Sequence, residues 1–317
     1  WEVGCMKAGD YADAVLANAK VMRMVDPTIK IVAVGHHERN DWNYPVLKEA
    51  GSQVDYISIH HYIHYEDYYR LVASPLETES KLKRLASLIE ATGSPGNKRP
   101  MIAVDEWNVW HEDAGPGAFC QKLTLQDGLF TAGMLNVFHR MCNSVGMANL
   151  CDLVNSGPCG PIVADEQGLY VNPMYLAFQL YRQHAGETAL HCEVDVHTYD
   201  AGDPSVKPQD AAYQEQLSHV PYLDCSATLD EETGSLCLAV INRHKDEDIR
   251  CAIELRDFVP GGNGRVFELN AADVRSANDF DSPSEVVVTE RELIEPTQDI
   301  EYVFPRHSLT MLEYTSS

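Results

Sequence analysis

Asp105 and Glu106 stand side by side after the apolar run Met101-Ile-Ala-Val104, and Trp107, Asn108 and Trp110 follow them. A carboxylate so placed can act as a nucleophile or as a general acid or base, and neighbouring aromatic rings supply an apolar wall and a stacking surface. Polar groups follow other apolar runs in the same manner: His60 and Tyr62 after Val54–Ile59, and Asp152 and Asn155 in and after Met147–Val154. Each has a plainer reading. An Asp-Glu pair can simply cap a loop, an aromatic after a strand can simply pack, and a lone His can be a satisfied core or surface group. The histidines also admit a metal hydrolase, since His36, His37, His60, His61 and His64 all follow strand candidates. Against that, His60 and His61 point to opposite sides of a continuing strand, and no His-Glu-x-x-His motif occurs. No metal and no cofactor are called for.

The elements that would position these groups repeat as helix, strand, helix, strand. Residues 10–25 read as a helix with Tyr11, Val15, Ala19, Met22 and Val25 in one stripe, Asp10 as N-cap and Asp26-Pro27 as the stop. Buried strands are predicted at 29–35, 54–60, 101–105 and 147–154. Helices are predicted around 42–50, over 76–92 with Pro75 just before it, over 123–144, and from the Asn172-Pro173 cap to about 184. Alternation of this kind gives a parallel α/β sheet. No glycine-rich phosphate loop follows any strand, and polar groups collect after three successive strands, which favours a (β/α)8 barrel over a nucleotide fold. Four units make half a barrel. The other half is expected before Trp1, with the strands near 29–35 and 147–154 as the edges of the half present.

From about residue 187 the pattern changes to short alternating segments punctuated by turns such as Glu232-Thr-Gly234 and Pro260-Gly-Gly-Asn-Gly264. These predict a β-sandwich of jelly-roll type. The expected domains are therefore 1–186, a partial barrel, and 187–317, the sandwich, with a polar loop over 200–218.

The balance of 24 basic against 48 acidic residues, net −24, argues against nucleic-acid and anionic-membrane partners. It fits a soluble surface or adaptation to salt. No apolar run reaches transmembrane length. The nine cysteines form no CxxC pair, so zinc knuckles and thioredoxin-type motifs are unsupported. Cys142, Cys151 and Cys237 lie in apolar segments and read as buried thiols of a reducing, cytoplasmic compartment.

Five stretches together resemble the arabinofuranosidases of glycoside hydrolase family 51: Ala19–Gly35, Asp55-Tyr-Ile-Ser-Ile-His60 with Tyr62, Asp105-Glu-Trp-Asn-Val-Trp110, Ala148-Asn-Leu150 and Leu153-Val-Asn155. The resemblance implies that Glu106 is the nucleophile of a retaining mechanism and that His60 and Tyr62 line the sugar site, Tyr62 close to the nucleophile. It further implies that Trp110 forms part of the wall and that Asp152 and Asn155 meet the substrate. Asp152 stands where the family usually has Gln, which adds negative charge near Glu106. The implied substrate is a terminal α-L-arabinofuranosyl group of arabinoxylan, arabinan or their oligosaccharides, and a homo-oligomer is implied as well. The family's acid/base Glu sits in a Gly-Asn-Glu motif shortly before a Trp that matches Trp1. Glu2 is no substitute, so the stretch alone is expected to be inactive. An endo-glucanase or xylanase on the same scaffold, or a non-catalytic carbohydrate-binding fragment, are the competing readings. The sandwich has no row of aromatics of the kind glycan stacking needs.

Overall fold

Helix α1 (Ala8–Val25) stops where Asp26 turns the chain, its carboxylate accepting from the Thr28 N–H at 2.8 Å and hydroxyl at 2.7 Å. Its start corrects one expectation. Lys7 is the N-cap and makes no side-chain capping bond, while Asp10 lies in the first turn, where a negative charge favours the free N–H groups. The stripe is also only partly buried: Ala19 is covered, but Met22 and Val25 are 50% and 85% exposed. The computed structural model describes residues 6–93, 98–111, 121–155, 160–166, 168–202, 217–294 and 296–316. Trp1, Glu2, Cys5, Cys120, Cys159 and most of the loop expected over 200–218 lie outside the described residues.

The next elements are β1 (Val32–Val34), α2 (Asn40–Ala50), β2 (Tyr56–Ile63), α3 (Tyr68–Thr92), β3 (Met101–Val109), α4 (Leu125–Arg140) and β4 (Val145–Leu150). They build a sheet of order β1-β2-β3-β4, with β1 parallel to β2 and β3 parallel to β4. The two expected edge strands are its edges. Helix α3 begins eight residues earlier than predicted and carries Pro75 inside it. Proline removes the N–H that would reach the carbonyl of residue 71. Ser74 Oγ donates to that carbonyl at 2.7 Å instead. Gly133 of α4 leaves room for the ring, since a Cβ there would lie 2.7 Å from Pro75.

The chain forms two compact units. The first takes in residues up to Tyr62, Thr78–Asn108 and Met141–Cys151. A cluster of Ala19, Ile31, Ala33, Val46 and Val54, with Tyr11, Val15 and Trp42 against it, ties α1 and α2 to β1. Asp55, just before β2, closes the foot of this unit. Its carboxylate accepts from the Ile31 N–H at 2.8 Å, pairs with Arg23 at 3.1 Å and Lys30 at 3.6 Å, and is also held by Lys98. Burial opposes the charge, but the Lys98 and Ile31 bonds prevail and bring the carboxyl down to about 2. A carboxylate with a depressed folded pKa stabilises above its unfolded value and loses that contribution as pH falls through the folded one. Wild type should therefore exceed Asp55→Asn by about 1–2 kcal/mol at neutral pH, a figure discounted because Lys30 and Lys98 are solvated. The gap should close between pH 4 and pH 2. Urea unfolding of both proteins across that range is the check, and a gap independent of pH would contradict the clamp.

The second unit takes in Ile63–Glu77, Val109–Arg140 and the chain from Asp152 on. After Asn155 it forms a hairpin, β5 (Ile162–Asp165) with β6 (Gly168–Val171). Helix α5 (Pro173–His184) starts as predicted, with the Asn172 side chain accepting from the N–H groups of Met174 and Tyr175. Then come β7 (Thr188–Leu190), β8 (Thr198–Tyr199), β9 (Val220–Pro221), β10 (Leu223–Asp230), β11 (Ser235–Asn242), β12 (Ile249–Glu254), β13 (Gly264–Asn270), β14 (Val287–Leu293), β15 (Asp299–Phe304) and β16 (Ser308–Thr315). The alternating stretch 191–199 is not one continuous strand: β7 ends before it, and only residues 198–199 pair, with β9.

A six-stranded sheet of order β14-β13-β16-β11-β10-β7 carries this unit, and β12 and β15 form a separate pair. Alternate residues of β11 explain its unbroken burial. Cys237, Ala239 and Ile241 pack with Leu125, Leu129 and Tyr181 of α4 and α5. Leu236, Leu238 and Val240 pack with Tyr302 and Phe304 of β15. A sheet covered on both faces reads as a continuous apolar run rather than an alternating one.

Asp224 of β10 is the polar centre of this unit. It accepts from Asn136 at 3.1 Å and pairs with Arg140 at 3.1 Å and Arg243 at 3.3 Å. Arg243 is fully buried and also donates to the carbonyls of Val72 and Pro221, both at 3.0 Å. Of the thiols expected to be buried, only Cys237 is. Cys142 is exposed in the turn after α4, and Cys151 is half-buried. Among the described residues no helix is long and apolar enough to cross a membrane.

Candidate active site

Strand β2 alternates, so Ser58, His60 and Tyr62 share one face while Ile57, Ile59, His61 and Ile63 are buried on the other. On β3 a regular strand would send Asp105 and Glu106 to opposite faces. It does not, because the ladder to β4 carries a bulge. Val104 pairs with Ala148 and Trp107 with Leu150, so two residues, Asp105 and Glu106, stand opposite Asn149 alone. A bulge of this kind re-aims side chains locally. Both carboxylates consequently reach the face that carries Ser58, His60 and Tyr62.

The contacts there form a short chain. Ser58 Oγ donates to Asp105 Oδ1 at 2.6 Å. The His60 ring lies between the two acids, Nε2 3.5 Å from Asp105 Oδ1 and Nδ1 3.3 Å from Glu106 Oε2. Tyr62 Oη donates to the same Glu106 oxygen at 3.0 Å. Among the described residues Glu106 Oε1 has no hydrogen-bond partner, and the side chain is 40% exposed. One oxygen of Glu106 is thus held while the other is free to meet an incoming atom. Burial, followed by the hydrogen bonds with Cys151 and Glu106, pushes the Tyr62 phenol far above its usual range. It therefore stays protonated and remains a donor.

Trp107 and Asn108 hold the strand end. Trp107 is fully buried, and Asn108 Nδ2 donates to the Cys151 carbonyl at 2.6 Å. Trp107 is thus a core group and not part of an exposed wall. His36, His37 and His61 pack on one another, with ring centroids 4.5 Å and 5.2 Å apart. Burial and then the nearby Lys81 bring His37 down to about 4.

The structure brings His60, Tyr62 and Glu106 together. Trp110, Asp152 and Asn155 belong to the second unit. There Trp110 is 39% exposed, with its N–H on the Ile63 carbonyl at 2.8 Å. Asp152 is exposed. Asn155 has φ 49°, a conformation Asn tolerates better than most residues. Its amide pairs with Ala164 at both ends, at 2.6 and 2.9 Å, which fixes the loop before the β5–β6 hairpin.

Sequence reasoning missed a buried group just past Trp110. His111 Nε2 lies 2.8 Å from Asp127 Oδ1 and Nδ1 3.3 Å from Glu66 Oε1. Burial opposes its charge, but Asp127 and then Glu66 outweigh it and raise the imidazole's pKa. A signal for Asp127 was present. Thr124 and Asp127 have the three-residue spacing of a capping box, readable in sequence, and the Asp127 carboxylate accepts from the Thr124 N–H at 2.7 Å and hydroxyl at 3.0 Å.

The family described as the alpha-L-arabinofuranosidase C-terminal domain matches residues 105–308. The probable alpha-L-arabinofuranosidase C of Aspergillus niger is 30% identical over 334 residues, covering 99% of this chain and 63% of that protein. Among solved structures, the alpha-L-arabinofuranosidase of Thermotoga maritima in complex with arabinose superposes with a TM-score of 0.87 at 30% identity. The thermostable GH51 alpha-L-arabinofuranosidase of Thermotoga petrophila does so with 0.87 at 31%. Both matches cover 99% of this chain and 63% of the other. The chain therefore spans less than two thirds of the length of these relatives.

Proposed function

The chain belongs to the alpha-L-arabinofuranosidase C-terminal domain family, matched over residues 105–308, and from that premise we propose that it carries the nucleophile of a retaining α-L-arabinofuranosidase. The proposed architecture is the C-terminal half of a (β/α)8 barrel over 1–186 with a jelly-roll-like sandwich over 187–317. The observation that carries the reading is the asymmetry of Glu106. Oε2 is held by Tyr62 and faced by His60, and Oε1 is unengaged among the described residues.

In the proposed reaction Glu106 Oε1 attacks the anomeric carbon of a terminal arabinofuranosyl group. The bond to the leaving oxygen breaks, and a second carboxyl group protonates that oxygen. Such an acid lies about 5–5.5 Å from the nucleophile in retaining enzymes. We place it, on the family resemblance, in the stretch preceding Trp1. Water then cleaves the glycosyl ester, with the same acid acting as base. Tyr62, kept protonated, fixes the carboxylate rotamer so that attack costs little reorganisation. Trp110, Asp152 and Asn155 are proposed as sugar contacts on the resemblance. Arabinoxylan, arabinan and their oligosaccharides are the proposed substrates, in a cytoplasmic and homo-oligomeric protein without cofactor.

Activity of the full-length protein on a panel of aryl glycosides and polysaccharides tests this. The expected result is release of arabinose from 4-nitrophenyl α-L-arabinofuranoside and from arabinan, with no fall in viscosity of β-glucan or xylan. Endo-cleavage of those backbones without arabinose release would instead identify an endo-glucanase or xylanase.

A further inference from the structure

Cys192 and Cys225 meet at the edge of the six-stranded sheet. Strand β7 pairs antiparallel with β10 in the register Ala227 to Leu190. Cys192 lies two residues past the end of β7, and Cys225 lies two residues before Ala227 on β10. The two thiols are free, and their Sγ atoms are in contact at 2.6 Å. Both side chains lie in the cluster beneath β12 and β15. Cys192 is half-buried and reachable, while Cys225 is 7% exposed.

We propose that Cys192 and Cys225 are a modification site, joined as a reversible disulfide by exchange with a small-molecule disulfide such as oxidised glutathione. The chemistry balances without a metal. The Cys192 thiolate attacks one glutathione sulfur, forming a mixed disulfide and releasing one glutathione thiolate. Cys225 then loses its proton and attacks Cys192 Sγ, releasing the second thiolate. Two protein thiols are oxidised to one disulfide, and one glutathione disulfide is reduced to two thiols. The order of attack follows from the surroundings. Cys192 is the more accessible of the two, and its hydrogen bond with Cys225 lowers its pKa against the opposing effects of burial and Asp224, with Arg140 and His191 helping. The bridge would pin the edge strand where its pairing ends, and it would close the chain between the two positions into a loop, which restricts the unfolded state.

Peptide mapping of the full-length protein tests the proposal. After incubation with oxidised glutathione, free thiols are alkylated and the protein is digested without reduction. The expected product is one linked pair of peptides containing Cys192 and Cys225, lighter by two hydrogens than their sum and lost after dithiothreitol. The unfolding midpoint of the linked form should lie several degrees above that of the reduced form. Cys192→Ser should give no linked pair and no shift. The proposal fails if wild type keeps a glutathione adduct on Cys192 with no linked peptide, if Cys225 links to a different cysteine, or if the midpoint shift persists in Cys192→Ser.

Discussion

Glu106→Ala in the full-length protein is expected to lower kcat on aryl arabinofuranosides by about four to six orders of magnitude, the scale seen when a covalent nucleophile is removed. The loss should be chemical and not structural. Glu106 is 40% exposed, and its two partners, Tyr62 and His60, are held by the strand alternation of β2 and do not depend on Glu106 for their placement. Removing the carboxylate leaves a gap on the face opposite the leaving group. Azide can enter that gap and attack the anomeric carbon, so added azide should restore turnover and yield a glycosyl azide of inverted configuration. An alanine variant with near-normal kcat would end the assignment of Glu106.

Asp224→Ala should cost about 3–5 kcal/mol of stability, the range for breaking a buried ion pair from one side. Arg243 is fully buried, and the substitution would leave its guanidinium facing an emptied position with only the Val72 and Pro221 carbonyls as acceptors. Asn136 and Arg140 would each lose a bond as well. Chemical denaturation measures the loss. Adding Arg243→Met should recover part of it, because the unpaired charge and not the missing carboxylate carries most of the penalty. A single variant that unfolds within 1 kcal/mol of wild type, or a double variant worse than the sum of the singles, would contradict this.

Much of the scaffold was legible. The apolar runs ending in Asp105 and in His60 are strands buried on both faces, and such runs announce themselves. The edges of the parallel sheet followed from the order of units, and the α5 cap followed from Asn172-Pro173. Asp10 was misread because an acidic residue near a helix start suits either the cap or the first turn. Pro75 was misread because the compensating bond from Ser74 to the Leu71 carbonyl is a three-dimensional fact. The β5–β6 hairpin is four residues a side and lacks a long apolar run. In the site, Glu106, His60 and Tyr62 were readable, and the reason neighbouring acids share a face was not. Pairing register is a property of two strands, and neither carries it alone. The Glu66–His111–Asp127 contact was hidden for the same reason, since Glu66 and Asp127 are far apart in the chain.

The bulge at Asp105–Glu106 makes this stretch unequal in its tolerance of length change and of composition change. A substitution at Asp105 alters one side chain and leaves the direction of Glu106 intact. Deleting one residue between Val104 and Trp107 would instead repair the pairing with Ala148 and Leu150. The ladder would gain regularity and lose the bulge that turns both carboxylates toward the face of Tyr62. Random libraries over this segment should therefore recover well-folded, inactive deletions alongside active substitutions. A family descending from such a sequence would drift in composition here while its spacing stays fixed.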